Sequence, residues 1–275
     1  MVSFMVEELL PEYSPMSRYY LRVLSTFITI QCIANWLCTF FYGSDLRQTR
    51  DRPDVEKCLW DEENGQNDGT KEGQFKDRGG LIWKWCVECK HHQPPRCHHC
   101  KICNKCILKR DHHCFFTGTC IGFYNQRYFV ILVFYLALAT AIYLPFLWRY
   151  FSLYADQDHW SAYFLPITIY KWFQGQISFK WLVLTSHWYT MWWGGLIGLA
   201  FFVTQLLAIY KGLTSHEMYK INTVRCTAST AQNFRDVFGD FWMLNFIFPT
   251  VLVFRQAGDA KHWEHLKFLS RKLGQ

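Results

Sequence analysis

The feature that most constrains the fold of this 275-residue chain is a set of three long stretches without a charged residue. They are VLSTFITIQCIANWLCTFFYGS after Arg22, YFVILVFYLALATAIYLPFLW after Arg127, and HWYTMWWGGLIGLAFFVTQLLAIY at 187–210. Each supplies the roughly 20 residues that an α-helix needs to cross about 30 Å of hydrocarbon. Three such helices buried in a soluble core would leave too little polar chain to cover them. We therefore predict a polytopic all-α membrane fold, a transmembrane helix bundle with spans at 22–44, 127–149 and 187–210.

Two other apolar stretches are not predicted to span the membrane. Residues 150–186 are interrupted by a proline, a glycine and two lysines, which predicts a luminal loop that could associate with the membrane. The stretch Phe241–Phe254 is too short to span the bilayer comfortably and contains Pro249. It is predicted to re-enter the membrane or to lie at its interface.

Basic residues determine the predicted orientation. Three arginines follow the first span and seven lysines and arginines lie between residues 84 and 110, whereas the first twenty residues carry three glutamates and one arginine. Positive charge marks the cytosolic side of a membrane protein. Residues 45–126 and the tail 211–275 are therefore predicted to be cytosolic, and residues 1–21 non-cytosolic. The membrane surface then accounts for the net charge of +7, and no nucleic acid is expected as a partner.

The predicted cytosolic region has two parts. Residues 45–80 are charged and rich in glycine, asparagine and aspartate, which predicts a solvated linker without a packed core. Residues 81–126 contain eight cysteines and six histidines, in CVECKHHQPPRCHHCKICNKCILKRDHHCFFTGTC from Cys86. Disulfides are not expected in the reducing cytosol, and repeated C-x-x-C steps aim thiolates at a tetrahedral ion. We predict a zinc domain of loops and short β-hairpins that depends on metal to fold. Cysteine spacing alone also allows a purely structural zinc module.

The run Asp111-His112-His113-Cys114 favours chemistry in addition to metal binding. In an extended chain the side chains of His112 and Cys114 share one face, while His113 points to the other and could bind metal. An imidazole beside a thiol lowers the pKa of the thiol and raises the fraction of the nucleophilic thiolate. Asp111 can accept the other ring N–H of His112 and fix its orientation, which completes a nucleophile–base–orienter arrangement.

With these residues in place, the segment resembles the cysteine-rich domain of the DHHC palmitoyltransferase family. The resemblance rests on the C-x-x-C pair at Cys86 and Cys89, the P-x-R turn at Pro94 and Arg96, the H-C-x-x-C-x-x-C run from His99 to Cys106, and Asp111-His112-His113-Cys114. It continues through Cys120, Gly122, Asn125 and Phe129 and covers residues 86–130 closely.

The resemblance implies two structural zinc ions with interleaved ligands. One site would be formed by Cys86, Cys89, His99 and Cys106, and the other by Cys100, Cys103, His113 and Cys120. Cys97 and Cys114 then remain without metal. His98, next to His99, could exchange roles with it.

The resemblance also implies a protein-cysteine S-palmitoyltransferase. Cys114, assisted by His112 and Asp111, would take a fatty acyl group from palmitoyl-CoA and pass it to cysteines of substrate proteins at the cytosolic membrane face. The family is found mostly in the Golgi and the endoplasmic reticulum. Later matches imply structural support of the site: a variant of the T-T-x-E motif at Thr214, Ser215 and Glu217, and the family's C-terminal asparagine at Asn233.

Lys109 and Arg110 are candidate contacts for CoA phosphates, by charge and by proximity to Cys114. A solvated basic loop is the alternative explanation for the same two residues.

The chain departs from the family in three places. It has one span before the cysteine-rich segment where the family has two, which indicates a shortened gene model, an isoform or a real loss with a luminal N-terminus. Asp45 stands where the family's D-P-G motif would begin, but the Pro and the Gly are absent. Phe115 and Phe116 stand where the family has Pro-Trp. These departures keep open a catalytically weak or inactive membrane scaffold that uses its zinc module to bind proteins. A membrane-anchored module of the ubiquitin-ligase type is a further alternative, but it leaves Asp111 to Cys114 unexplained.

Overall fold

The structure is a computed structural model, and it describes residues 14–46, 74–76, 82–154, 164–219, 224–240, 242–247, 256, 258–263 and 265–268. Most of the predicted linker, the first thirteen residues and the second half of the stretch Phe241–Phe254 lie outside these ranges. Phe241 also lies outside them, and within the first half of that stretch Trp242–Phe246 form a short 3-10 helix.

Helices dominate the described part of the chain. They are α1 (Pro15–Phe41), α2 (Gln126–Tyr154), α3 (Leu165–Phe173), α4 (Phe179–Tyr210), α5 (Ser215–Tyr219) and α6 (Thr230–Phe238). Three of them are long and apolar enough to cross a membrane: α1, α2 through Arg149, and α4. In their most apolar windows only 22%, 39% and 28% of the residues are buried, so most of this apolar surface faces outward, as a lipid environment requires.

The long helices extend beyond the uncharged stretches. Helix α2 continues past Arg149 to Tyr154, and α4 begins at Phe179, eight residues before the predicted span. Absence of charge marks the part that fits the hydrocarbon, whereas lysine and arginine are good helix formers and do not end a helix. Pro166 and Gly175, which interrupt the predicted loop, lie at the start and just after the end of α3, where such residues are typical.

The strands are short and pair as antiparallel hairpins. They are β1 (Gln74–Lys76), β2 (Ile82–Cys86), β3 (His91–Gln93), β4 (His98–Cys100), β5 (Lys105–Ile107), β6 (His112–Cys114), β7 (Thr119–Ile121), β8 (Val224–Cys226) and β9 (Leu266–Phe268). The order β1-β2-β3 forms one sheet, and β4-β5, β6-β7 and β8-β9 form three two-stranded ribbons. The predicted fold class, helices of membrane-spanning length with a cysteine-rich region of short hairpins, is confirmed.

By its contacts the chain divides into two units, Met1–Ala34 with Leu132–Val203, and Asn35–Ile131 with Thr204–Gln275. In the first unit α2 and α4 pack closely. A Cβ added at Gly195 would overlap the side chain of Thr140, and one at Gly198 would lie 3.3 Å from Leu136 Cβ. Small residues at a helix contact permit the short approach that stabilises membrane helices.

In the second unit Asn125 connects the end of α1 to the hairpins. Its Nδ2 donates to the carbonyl oxygens of Thr39 and Cys120, both at 2.9 Å, and its Oδ1 accepts from the Gly122 N–H at 2.8 Å. The Ser44 hydroxyl also donates to Oδ1, at 3.4 Å. Asn125 is fully buried, and these bonds satisfy its amide, so one side chain holds three backbone groups and joins the end of α1 to the segment after β7.

The ends of the predicted linker 45–80 differ from the solvated chain expected there. Asp45 bridges to Ile107, the Leu46 N–H donates to the Cys106 carbonyl at 2.9 Å, and both residues are buried. At the other end β1 pairs with β2. Backbone pairing gives a polar segment its hydrogen-bond partners whatever its composition.

The end of α4 is a Schellman turn. Gly212 has φ +65°, its N–H donates to the Ile209 carbonyl, and the Leu213 N–H donates to the Ala208 carbonyl, both at 2.9 Å. A Cβ at Gly212 would overlap Asn233. Asn233 in turn donates to the last helical carbonyl, that of Tyr210, at 3.1 Å.

Candidate active site and metal centres

Eight cysteine and histidine side chains form two compact groups. One contains Cys86, Cys89, His99 and Cys106, and the other contains Cys100, Cys103, His113 and Cys120. Within each group the four ligand atoms lie within 4.8 Å of one another. His99 rather than His98 enters the first group, and the centroid of the His98 ring lies 4.8 Å from that of His216. These are the eight residues that the resemblance implies as metal ligands.

The geometry of each group fits a tetrahedral zinc ion. From His99 Nδ1 the three sulfurs lie at 3.6, 3.3 and 3.9 Å, and from His113 Nδ1 they lie at 3.7, 3.3 and 3.6 Å. Bonds of about 2.3 Å to sulfur and 2.0 Å to nitrogen give tetrahedral edges of about 3.6 Å. Three thiolates and one imidazole form the donor set of a closed structural zinc site.

The metal groups arise from two hairpins with the same layout. His98-His99-Cys100 and His112-His113-Cys114 lie fourteen residues apart. In β4-β5 His99 pairs with Cys106, and in β6-β7 His113 pairs with Cys120. Cys100 and Cys114 therefore occupy equivalent positions. Cys100 contributes its thiol to the next metal group along the chain, but among the described residues no further group follows Cys114, so its thiol is left without metal.

Strand β6 gives its histidines opposite roles. Its alternation places His113 in the metal group, whereas His112 Nδ1 lies 2.8 Å from Asp111 Oδ2. The Phe129 ring packs edge-on against the His112 ring, with the two ring centroids 5.1 Å apart. Asp111 is buried, with 4% of its surface exposed, and Cys114 is buried at 6%. The structure thus brings Asp111, His112 and Cys114 together as the sequence predicted.

The electrostatics of this group favour a thiolate–imidazolium pair. Burial opposes the charged form, but hydrogen bonds to Asp111 and Cys114 raise the pKa of His112 to about 9. Burial alone would also raise the pKa of the Cys114 thiol, yet His112 and Thr117 lower it below its usual value. Cys114, which lies outside both metal groups, is therefore prepared to act as a nucleophile.

Asp111 is held by two further donors. Its Oδ1 accepts from the Ser215 N–H at 2.5 Å, and its Oδ2 accepts from Gln205 Nε2 at 2.6 Å as well as from His112. Burial opposes ionisation of this carboxyl, but these hydrogen bonds and the His112 charge lower its pKa. Ser215, predicted as structural support, contacts the orienting carboxylate directly through its backbone.

A buried ion pair fastens the hairpins to the segment after α4. Arg96 Nε and Nη2 donate to Glu217 at 2.9 and 2.6 Å, and both side chains are less than one tenth exposed. Glu217 also accepts from the Thr214 N–H at 2.8 Å, while Thr214 Oγ1 accepts from the Glu217 N–H at 3.2 Å. This reciprocal capping starts α5 and holds Ser215 against Asp111.

Removing Arg96 is expected to destabilise the protein strongly. Arg96→Met leaves the Glu217 carboxylate buried without its partner, a loss of about 3–5 kcal/mol. Thermal unfolding in detergent measures it. The matched control is Lys101→Met, which removes a positive charge from an exposed position of the same domain and is expected to cost less than about 1 kcal/mol. Equal melting temperatures for the two variants would contradict the structural role of Arg96.

Comparison with known proteins agrees with this site. The DHHC palmitoyltransferase family model matches residues 81–222, just over half of the chain. The chain belongs to this DHHC palmitoyltransferase family. Palmitoyltransferase ZDHHC22 of Danio rerio is 36% identical over 161 residues, 57% of this chain and 58% of that protein. The Homo sapiens protein of the same name is 35% identical over 162 residues, 56% of this chain and 60% of its own. Probable protein S-acyltransferase 12 of Arabidopsis thaliana is 38% identical over 81 residues, 29% and 28% of the two chains.

The alignments with ZDHHC22 thus span less than two thirds of those proteins. The three membrane-capable helices, together with membership of the DHHC family, indicate a multi-pass integral membrane protein.

The two basic residues before the DHHC run have different surroundings. Lys109 is only 5% exposed and, with Arg96 and Trp263, lines a cavity of about 520 Å³. Arg96 Cζ and Lys109 Nζ lie 4.6 and 5.9 Å from the centroid of the Trp263 ring. Burial and, to a smaller extent, the nearby positive charge of Arg96 lower the pKa of Lys109 to about 8. Lys109 is therefore not part of a solvated loop, whereas Arg110 is half-buried.

Sequence reasoning missed the polar residues of the spans that reach this site. Gln205 in α4 is fully buried and contacts Asp111, and Gln126 at the start of α2 donates to Gln205 at 3.0 Å. A signal was available, because an amide inside an apolar span is costly unless it has a partner and often marks a functional position.

Proposed function

We propose that this protein is a protein-cysteine S-acyltransferase that carries a fatty acyl group on Cys114. The observation that carries the proposal is the arrangement of one thiol. Cys114 lies outside both metal groups and beside an imidazole that a buried carboxylate orients. Membership of the DHHC family and relatives named as palmitoyltransferases support palmitoyl-CoA as the donor.

The first half-reaction forms the acyl-enzyme. The Cys114 thiolate attacks the carbonyl carbon of the palmitoyl-CoA thioester, and the bond from that carbon to the CoA sulfur breaks. The leaving CoA thiolate takes the proton of the His112 imidazolium. The hydrogen bond from His112 Nδ1 to Asp111 keeps the proton that is transferred on Nε2.

The second half-reaction transfers the acyl group to a substrate protein. The acceptor's cysteine thiol gives its proton to neutral His112 and attacks the acyl carbonyl carbon. Cys114 leaves as a thiolate beside the new imidazolium, which restores the starting state. Exchange between thioesters is nearly balanced in energy, so the main task of the site is to position two sulfurs at the membrane boundary.

The metal groups have a structural part in this proposal. Cys86, Cys89, His99 and Cys106 would hold one zinc ion, and Cys100, Cys103, His113 and Cys120 the other. Zinc bound there would add folding free energy to that of the buried apolar residues of the domain, such as Leu108, Ile121 and Phe123. The ligands of the second ion include His113 and Cys120, which flank Cys114 on β6-β7.

The membrane explains why this chemistry is joined to apolar helices. The bilayer is the expected partner of the spans, and the acyl chain would lie among them, where burial stabilises by about 0.8 kcal/mol per methylene. Basic residues between 84 and 110 support a cytosolic position for the DHHC domain. The expected location is the Golgi or the endoplasmic reticulum, and the expected acceptors are proteins with cysteines at that face.

Lys109, which lines the cavity, and Arg110, which follows it in the chain outside the cavity lining, are proposed to contact CoA phosphates. Substituting both residues with alanine is expected to raise the KM for palmitoyl-CoA by about tenfold or more, because a hydrogen bond to a charged group contributes about 1.5–3 kcal/mol. Initial rates of acyl-enzyme formation over a range of donor concentrations measure this. The control is Lys101→Ala with Lys105→Ala, which removes two exposed charges from the same domain. An unchanged KM in the first variant would remove the assignment.

The proposed function is tested by incubating the purified full chain in detergent with a clickable palmitoyl-CoA analogue. A label that is released by neutral hydroxylamine and maps to Cys114 by mass spectrometry is the expected result. Zinc-loaded, monodisperse protein that takes no label would overturn it.

A non-catalytic scaffold is the second candidate, favoured by the residues after Cys114. Phe115 and Phe116 replace the family's Pro-Trp and are 82% and 62% exposed, a surface that suits protein or lipid contact. The same labelling experiment separates the two functions, because a scaffold forms no thioester.

A further inference from the structure

Gln205 is the one polar side chain of α4 that reaches the Asp111 carboxylate. It lies in the apolar sequence LAFFVTQLLAIY of the last span and has no exposed surface. Its Nε2 donates to Asp111 Oδ2 at 2.6 Å and to Ser215 Oγ at 3.1 Å. An amide buried at this position is stabilising only when its hydrogen bonds are made.

Gln126 fixes which way the Gln205 amide points. Its Nε2 donates to Gln205 Oε1 at 3.0 Å, and Gln126 is 1% exposed. Both N–H groups of Gln205 and its carbonyl oxygen are therefore used. If the Gln205 amide were flipped, its oxygen would face the Asp111 carboxylate and its NH₂ would face the NH₂ of Gln126. Only the observed orientation therefore satisfies these hydrogen bonds.

The oxygen that Gln205 contacts is the oxygen that orients His112. Asp111 Oδ2 accepts from both Gln205 Nε2 and His112 Nδ1, at 2.6 and 2.8 Å. The other oxygen is held by the Ser215 N–H. Without Gln205, the carboxylate can rotate about its Cβ–Cγ bond, and the oxygen facing His112 loses its second donor. The imidazole beside Cys114 would then be less well directed.

We propose that Gln205 is a positioning residue of the acyl-transfer site, which acts through Asp111 on His112, and that Gln126 holds its amide in the active orientation. This proposal rests on the proposed function. It makes the ends of two spans part of the catalytic geometry, because one amide comes from α2 and the other from α4.

The test measures acyl-enzyme formation by Gln205→Met, which keeps the length of the side chain and removes both donors. The rate at saturating palmitoyl-CoA is expected to fall by about 10- to 100-fold, the loss of a hydrogen bond to a charged group. The KM for the donor is expected to stay within about twofold, since Gln205 contacts no donor atom in this proposal. Leu207→Met is the matched control, because it places the same side chain on an exposed position of the same helix.

A double-mutant comparison separates positioning from a merely structural role. If Gln205 acts through His112, adding Gln205→Met to His112→Ala changes the rate little further, whereas independent effects multiply. Full multiplication, or a Gln205→Met rate equal to wild type, would overturn the proposal. If Gln205→Met does not fold, Gln126→Met tests the same network and is expected to slow the rate by about 2- to 10-fold. A Gln126→Met rate equal to wild type would then overturn it.

Failure of the proposed function gives a different result. Wild-type protein that forms no thioester on Cys114 rejects the acyltransferase itself. Wild-type protein that acylates normally, beside a Gln205→Met variant that does the same, rejects only the role of Gln205.

Discussion

Substitution of Cys114 by serine is expected to abolish the hydroxylamine-sensitive acyl label. Serine keeps the size and the hydrogen bonds of the side chain, but its hydroxyl is far less acidic than a thiol. The His112 imidazole that lowers the pKa of Cys114 cannot produce a comparable alkoxide. We expect a rate below about one thousandth of wild type, as found when a catalytic nucleophile is removed. In-gel fluorescence of the clickable acyl group measures it.

Cys97 provides the matched control for this substitution. It is a buried cysteine of the same domain, 4% exposed, and belongs to neither metal group. Cys97→Ser should therefore keep both zinc ions and most of the acyl label. If Cys114→Ser keeps the label, another thiol carries the acyl group and the proposed mechanism is wrong. Loss of the label in Cys97→Ser would then identify Cys97 as that thiol.

Loss of a single ligand from the second metal group is expected to remove one zinc ion and the activity together. Cys120 is 1% exposed and pairs with His113 across the hairpin that ends in Cys114. Cys120→Ser removes one of four donors from an ion whose apparent binding free energy is about 10–16 kcal/mol in comparable small domains. With the ion gone, the link between His113 and Cys120 through the metal is lost, and we expect β6 to shift so that His112 no longer aligns with Cys114.

Two measurements check this second prediction. Zinc per chain, determined by inductively coupled plasma mass spectrometry, should fall from two to one, and the acyl label should disappear. Cys97→Ser should retain two ions in the same preparation. A Cys120→Ser protein that keeps two ions and the wild-type label would show that this thiol is not a required ligand.

The parts of the fold that the sequence could predict depend on patterns within short segments of the chain. The spans depend on runs of uncharged residues, and the metal groups depend on cysteines a few residues apart, so each signal is complete within a short segment. The alternation along Asp111 to Cys114 is also local, and in strand β6 His112 contacts Asp111 while His113 joins the metal group. The ligand set itself came from the resemblance, since spacing alone could not decide how eight residues divide into two interleaved groups.

The remaining features depend on contacts between distant segments. Gln205 meets Asp111 across 94 positions of sequence, and Arg96 meets Glu217 across 121. An amide in an apolar span signals that Gln205 needs a partner, but the surrounding residues do not identify Asp111 as that partner, nor Glu217 as the partner of Arg96. Lys109 was ambiguous for the same reason, because only the approach of Trp263 decides whether it is solvated. The end of α2 and the start of α4 lie outside the predicted spans. Hydropathy marks the boundary of the hydrocarbon, whereas backbone hydrogen bonding determines where a helix begins and ends.

The equivalence of Cys100 and Cys114 in the two hairpins has a consequence for selectivity. A cysteine-rich domain offers many thiols to an acyl donor, yet an acyltransferase must load one of them. In the proposed enzyme the two zinc ions serve as protecting groups in the chemist's sense: six of the eight thiols between Cys86 and Cys120 are ligated, and Cys97 is buried. Metal depletion would then do more than loosen the fold. It would expose Cys100 and its neighbours as competing acceptors, and the acyl group would scatter over the domain.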